Sequence, residues 1–394
     1  MHILYFAPIA FGYLKQRPQY LAEQLARVHT VYYIEPTVSF AASVHKNELH
    51  YRKKIQKRSK TLYVIRLDGK FSLPYRWKYA DKYALTALYE YLQAIRIIKK
   101  IDLIWIGYPG WYGVAHYFRG VRVVYDVMDD YVRLTRDKKT RAYIQRSCRK
   151  LETTADIILT SSAAFYERLQ REHKHVFLVP NAMPDSYRKA GWQEALKKKA
   201  DSGLCKNNTA HAVYGYIGVI AEWFDNTVIE YLAGCKGSRV VLAGPVLVPR
   251  VQKENVEYIG EIPKADVPQF IQNCDVCLYP FLPGPLLETI NPVKIYEYLA
   301  FQKPVIARRS RETEQFAGMV SLYSDKKELC QILEAGIRQP FPDAQAYHRF
   351  AAKNCWSYRG RQILEILETG TKQAGKENIW RQQMKNRTVW EESR

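Results

Sequence analysis

Lys294 and Glu297 lie three residues apart in the segment Asn291-Pro292-Val293-Lys294-Ile295-Tyr296-Glu297-Tyr298-Leu299-Ala300. Pro292 fixes φ where a helix begins and where an N–H has no helical partner, so the segment predicts a helix from Pro292 to Phe301. A spacing of three puts Lys294 and Glu297 on one face close to its N-terminus. Unpaired N–H groups and the helix dipole make that end a seat for phosphate. Lys294 adds a full positive charge, and a carboxylate such as Glu297 accepts strong hydrogen bonds from ribose hydroxyls. The same spacing also describes an ordinary ion pair on a solvated helix.

A second acidic group stands in Val123-Val124-Tyr125-Asp126-Val127-Met128-Asp129-Asp130, where a strand should end. Acids at the carboxyl end of a parallel strand suit hydroxyl recognition, and an Asp there equally caps a following helix. Gly218 after Tyr214–Ile217, Gly244 after Val240–Ala243, and Gly260-Glu261-Ile262-Pro263 after Val256–Ile259 end three further apolar runs. Glycine lets a diphosphate approach the backbone, or simply punctuates a strand and its turn. Cys274 and Cys277 form a Cys-x-x-Cys, but no second Cys/His pair completes a zinc site, so they read as core or helix-end thiols.

These groups need a scaffold of alternating strands and helices. Ile3–Ala7, Thr30–Ile34, Tyr63–Ile65, Leu103–Ile106, Val121–Tyr125 and Ile157–Thr160 read as buried strands, with helices near Leu21–Ala26, Tyr79–Ile98 and Arg141–Thr153 between some of them. The pattern resumes with Ala212–Ile217, Val240–Ala243, Val256–Ile259, Val276–Tyr279 and Pro304–Ala307, with helices near Val267–Gln272 and Pro292–Phe301. Two Rossmann-like α/β domains are expected, residues 1–184 and 185–355, separated in the polar stretch Asp185–His211. Residues 356–394 are expected to form a helical segment packing back toward the first domain, with 370–394 either amphipathic helix or loosely held tail.

The chain of 394 residues is long enough for two cores, and 47% hydrophobic content excludes wholesale disorder. Lys and Arg number 60 against 39 Asp and Glu, a net charge of +21 that attracts phosphates, acidic polymers or an anionic membrane face. From His45 to Lys100, 15 basic residues face four acidic ones, with Tyr51, Phe71, Tyr75, Trp77 and Tyr79 interleaved. Such a run fits an anionic leaflet or a polyanionic acceptor, or is a solvated face. No nucleic-acid motif accompanies it. The start lacks a signal-peptide pattern and no apolar run reaches membrane-span length, so a cytoplasmic location is expected, with any membrane contact peripheral, at its inner face. Seven cysteines in no regular framework read as reduced thiols.

The Asn-Pro-x-Lys-x-x-Glu-Tyr-Leu-Ala segment resembles the signature of GT-B glycosyltransferases related to glycosyltransferase family 4. Gln16-Arg17-Pro18-Gln19-Tyr20-Leu21-Ala22 is similar to their N-terminal segment, and Tyr214–Ile220 to the first strand and loop of their C-terminal domain. Over its full length the chain resembles in particular the teichuronic acid biosynthesis glycosyltransferases of Gram-positive bacteria. The resemblance implies an α/β GT-B fold, two Rossmann-like domains facing each other across a cleft. It implies transfer of a hexose from a nucleoside diphosphate sugar, UDP-linked, to a cell-envelope polysaccharide or lipid-linked precursor, with retention and with no cofactor or metal.

Glu297 matches the second glutamate of the family's Glu-x7-Glu motif, while Thr289 occupies the first position and Glu288 lies one residue out of register. The nucleotide-sugar contacts so implied are Gly218, Val219, Gly244, Ile262 through its backbone, Asn291, Lys294 and Glu297. Gly12, Arg17, Asp126 and Asp129 are implied as contacts to acceptor or sugar, and Lys294 and Asp126 as the catalytic candidates. Relatives often carry Arg and Lys soon after the glycine matched by Gly218; here Glu222 and Trp223 follow. Two other classes share parts of this reading: a GT-B-type sugar-nucleotide epimerase, which needs acid and base groups but no acceptor, and a non-enzymatic polyanion-binding protein.

Overall fold

A computed structural model describes residues 1–36, 54–66, 78–190 and 212–369. The first sheet holds β1 (His2–Phe6), β2 (Thr30–Ile34), β3 (Lys54–Lys57), β4 (Leu62–Arg66), β5 (Leu103–Ile106), β6 (Arg122–Val127), β7 (Ile157–Thr160) and β8 (Val176–Leu178). Their order is β3-β4-β2-β1-β5-β6-β7-β8, parallel throughout except that β3 runs antiparallel to β4 at the edge. The second sheet holds β9 (Val213–Ile217), β10 (Arg239–Ala243), β11 (Val256–Gly260), β12 (Val276–Tyr279), β13 (Val305–Arg308) and β14 (Ser321–Tyr323). It is parallel in the order β11-β10-β9-β12-β13-β14. Strand order reverses between β1 and β5 and between β9 and β12. In doubly wound sheets the ligand crevice opens beyond the carboxyl ends of the strands at such a switch point.

The chain divides into two compact units, one containing Met1–Pro180 and the residues from Gly360 onward, the other Asn181–Arg359. The helix Trp356–Thr369 therefore starts in one unit and continues in the other. Its beginning is tied to the second unit, where Ser357 donates its N–H to Asp185 (3.1 Å) and Met183 bridges to Cys355. Further along, the Leu367 carbonyl accepts from Arg122 (3.2 Å) in the first unit.

Each unit has its own apolar core. In the first, Ile3, Leu4, Tyr5 and Phe6 of β1 are wholly buried, as expected of a parallel strand covered on both faces. Register pairs Tyr5 with Tyr33 and with Trp105, and the three rings stack across β2, β1 and β5 at centroid separations of 5.4 and 5.3 Å. Trp111 lies in the 3-10 segment Pro109–Tyr117 after β5 and donates to the Ala7 carbonyl (2.8 Å), fastening the loops that follow β1 and β5.

Residues 45–53 and 67–77 of the basic run from His45 to Lys100, the side chains of its five interleaved aromatics, and the segment 370–394 lie outside the described residues. The six described cysteines are free, and Cys274 and Cys277 are core thiols, Cys274 closing the helix Val267–Asn273.

The ends of β9, β10 and β11 are laced by backbone. Gly218 donates to the Ala243 carbonyl (2.9 Å) and Gly244 to the Gly260 carbonyl (2.7 Å). Gly244 has φ +130°, and a methyl placed on it would stand 2.0 Å from the Gly218 carbonyl oxygen, so only glycine fits. Gly244→Ala is expected to destabilise the chain by about 2–4 kcal/mol in urea titration, against a change below about 1 kcal/mol for Gly234→Ala, whose methyl meets open space. Equal small effects would show that the strand ends yield freely.

Candidate functional site

In the second unit the helix Val293–Ala300 is capped by Pro292 and starts one residue later than the sequence suggests; the Ile295 N–H donates to the Pro292 carbonyl (3.1 Å), and those of Val293 and Lys294 are left without helical acceptors. The loop before it is fixed by side chains. Asn291, 3% exposed, accepts from the Asn181 N–H (2.9 Å), and its carbonyl accepts from the Asn181 amide (3.0 Å). Its own amide donates to Glu312 (3.1 Å). The Asn291 side chain is thus spent on holding the loop, and what it leaves for a ligand is backbone. Thr289 is buried and donates to the Leu286 carbonyl (2.9 Å), whereas Glu288 is exposed and accepts from the Arg311 N–H (2.9 Å).

Glu297 is only 2% exposed and carries a cation on each carboxylate oxygen. Lys264 Nζ lies 2.5 Å from Oε1 and Lys294 Nζ 3.0 Å from Oε2. Burial by itself would raise this carboxyl, but Lys294 and then Lys264 outweigh it, and the pKa falls from 4.5 to about 2. Both lysine side chains keep contact with solvent, at 27% for Lys294 and 30% for Lys264, and an ammonium group with one carboxylate partner has N–H donors left for an incoming anion.

Lys264 is the residue that sequence reasoning missed. It lies just past Ile262, in the loop after β11, 33 residues before its partner, with its Nζ 5.6 Å from the centre of the Tyr187 ring. A basic residue two places beyond the predicted base-reading position was the available signal. Ile262 itself is half-buried against the core, and Val219, 38% exposed, has its carbonyl bonded by the Tyr216 hydroxyl (3.1 Å). The carboxyl ends of β9, β10 and β11 thus present Gly218, Val219, Gly244, Ile262 and Lys264 from successive loops.

In the first unit, Arg17 and Asp126 face each other rather than solvent. Arg17 Nε lies 3.1 Å from both carboxylate oxygens, Nη2 donates to Oδ1 (2.7 Å), and Nη1 donates to the Val179 carbonyl (2.7 Å). Their side chains are 3% and 0% exposed. The pair locks the start of the helix Arg17–Leu25 onto the end of β6. Asp130 caps the short helix Tyr131–Leu134 by accepting from the Arg133 N–H (3.0 Å) and pairs with the Arg133 guanidinium.

Asp129, between these groups, is half-buried. Desolvation raises its carboxyl from 3.8 to about 7, with Arg17 opposing and Asp126 and Asp130 reinforcing the shift. Gly12 is exposed in the loop after β1, with nothing near its Cα to demand glycine. Of the first-unit candidates the structure therefore brings Arg17, Asp126 and Asp129 into one charged cluster.

Residues 225–365 match the family model described as "Glycosyl transferase-like". No curated protein matches the chain. Among solved structures, HepE of Anabaena in complex with UDP is similar at 14% identity with a TM-score of 0.61, over 94% of this chain and 100% of that one. A UDP-forming α,α-trehalose-phosphate synthase from Burkholderia xenovorans is similar at 13% identity with a TM-score of 0.61, over 94% and 99%. These likenesses, with the two switch-point sheets, establish the fold as α/β of the GT-B type.

The two shifted carboxyls have opposite consequences for stability. Glu297 is depressed on folding, so its contribution is present above about pH 4.5 and lost as pH falls through about 2. Replacing Lys264 and Lys294 together by Met should cost about 1–3 kcal/mol at pH 6. In an acid titration followed by circular dichroism this moves unfolding to higher pH; an unchanged midpoint would mean that the lysines do not hold the carboxylate. Asp129 is raised on folding, so its contribution is full below about pH 3.8 and lost as pH rises through about 7. Asp129→Asn should exceed the parent by about 1–3 kcal/mol at pH 8 and match it near pH 4, by urea denaturation at the two pH values. An identical gap at both would sink the assignment.

Proposed function

We propose that the chain is a glycosyltransferase that takes a sugar from a UDP-linked donor bound to its second unit. The observation that carries this reading is the buried Glu297 held between two solvent-touching lysines at a helix N-terminus, beside three glycine-ended strands. An anion-binding helix end, a carboxylate for ribose hydroxyls and two ammonium groups for a diphosphate are the parts a nucleoside diphosphate requires. The pocket lacks the cations that relatives place after the first strand. Lys264, reaching in from the loop after β11, supplies the missing charge.

Chemically, the Val293 helix N-terminus and Lys294 stabilise negative charge that builds on the leaving diphosphate as the anomeric C–O bond breaks. Lys264 serves the same charge from the opposite side of Glu297. Glu297 fixes the nucleotide by accepting from the ribose, and its ionisation down to low pH keeps it an acceptor throughout the physiological range. The acceptor belongs to the first unit in this reading. Asp129 meets an acceptor hydroxyl, and Asp126, occupied by Arg17, holds the cluster in place. A cell-envelope polysaccharide or its lipid-linked precursor fits the basic character of the chain, and transfer with retention completes the reading.

Metal-free calorimetric titration with UDP, GDP and ADP tests this. UDP should bind best, with affinity falling at least tenfold in Lys264→Ala, Lys294→Ala and Glu297→Ala and staying within twofold in Asp129→Asn. Equal, weak binding of all three nucleotides, indifferent to these residues, would remove the donor pocket.

A further inference from the structure

We propose that the outward face of the helix Lys138–Thr154 docks the chain on an anionic lipid surface. The helix is anchored through Ile144, Ser147 and Leu151, which are buried. At about 100° per residue, Lys138, Lys139, Arg146, Arg149 and Lys150 fall within roughly 120° of one another on the opposite side. All five are exposed. The same arc otherwise holds Ala142 and Thr153, so no carboxylate interrupts it.

The nearby acids are occupied. Glu152 pairs with Arg168 (2.7 Å), and Asp137 caps the helix by accepting from the Thr140 N–H (2.7 Å). Among the described residues none of the five cations has a carboxylate partner; Lys150 only rests over the Tyr112 ring, 5.2 Å from its centre. Five like charges on one arc repel each other, and among the described residues no carboxylate pairs with them to offset that repulsion. An external anionic surface does.

The shape of the patch selects among anions. A single polymer strand is tracked by a groove with stacking platforms, whereas this face is the convex side of a straight helix. From Lys138 to Lys150 the row extends about 18 Å, which meets a plane of headgroups along its whole length. Leu134, 39% exposed just before the helix, adds an apolar edge to the same region of the chain. The long-range field agrees. Residues 1–180 contain 31 Lys and Arg against 15 Asp and Glu, so this stretch holds +16 of the chain's +21 and adds a long-range attraction for an anionic leaflet. The five cations of this face lie outside the 45–100 run and outside the nucleotide pocket.

Vesicle flotation of the full chain tests it, using phosphatidylcholine vesicles with and without phosphatidylglycerol, alongside the triple variant Lys139→Glu/Arg146→Glu/Arg149→Glu. All three positions are exposed, so the melting temperature and UDP titration of the variant should match the parent. The parent should bind only the phosphatidylglycerol vesicles and be released by high salt, and the variant should bind them at least tenfold more weakly. Equal binding of parent and variant, or equal binding to both vesicle types, would overturn the proposal. So would variant-sensitive binding to soluble polyphosphate with no binding to vesicles, which would give the face to a polymer.

Discussion

A carboxylate withdrawn from water is tolerated only when its charge is met, because the effective penalty for burying an ion is several kcal/mol. Glu297 sets this condition for the second unit. Its 2% exposure requires cations at both oxygens, and the fold supplies one from its own helix and one from the loop after β11. The loop before the helix then has to be rigid, which the Asn181–Asn291–Glu312 hydrogen bonds accomplish without any charge reaching solvent. The first unit meets the same condition differently. Arg17 clasps Asp126 with three contacts, and this closed pair leaves neighbouring Asp129 as the acid whose proton is loosely set.

How much of this could be read from residues alone depends on range. Parallel strands were legible because they are continuous apolar runs ended by Gly, Pro or Ser, and Thr30–Ile34, Leu103–Ile106, Ile157–Thr160 and Val276–Tyr279 fall where that pattern puts them. Lys54–Lys57 was not, since Lys-Ile-Gln-Lys carries the polar composition of an edge strand, and its pairing is made by tertiary contact with β4. The short strands Val176–Leu178 and Ser321–Tyr323 were missed for lack of length. The aromatic turn Pro109–Tyr117 has neither period.

The site divides in the same way. Lys294 and Glu297, three apart on one helix, were legible as a local pair. Lys264 was not, because its link to Glu297 spans 33 residues and exists only once two loops converge. Arg17 and Asp126, 109 residues apart, were each identified as functional candidates, but their mutual engagement was invisible. Local chemistry can be read from spacing, whereas the neutralisation of a buried charge is a property of the folded chain.

The discontinuous first unit has a consequence for the order in which this protein is made. Its eight-stranded sheet is complete in sequence by Leu178, yet the unit includes residues from Gly360 on, and the Arg122–Leu367 bond needs a carbonyl near the end of the described chain. The segment Asn181–Arg359 is continuous and holds its own parallel sheet. During vectorial synthesis the unit whose sheet leaves the ribosome first is thus the one finished last. It must wait, with part of its helical cover missing, while a whole second unit is translated and folds in between. The stack of Tyr33, Tyr5 and Trp105 lies wholly within the part already made, so the contacts that join β2, β1 and β5 need nothing from the residues still to come.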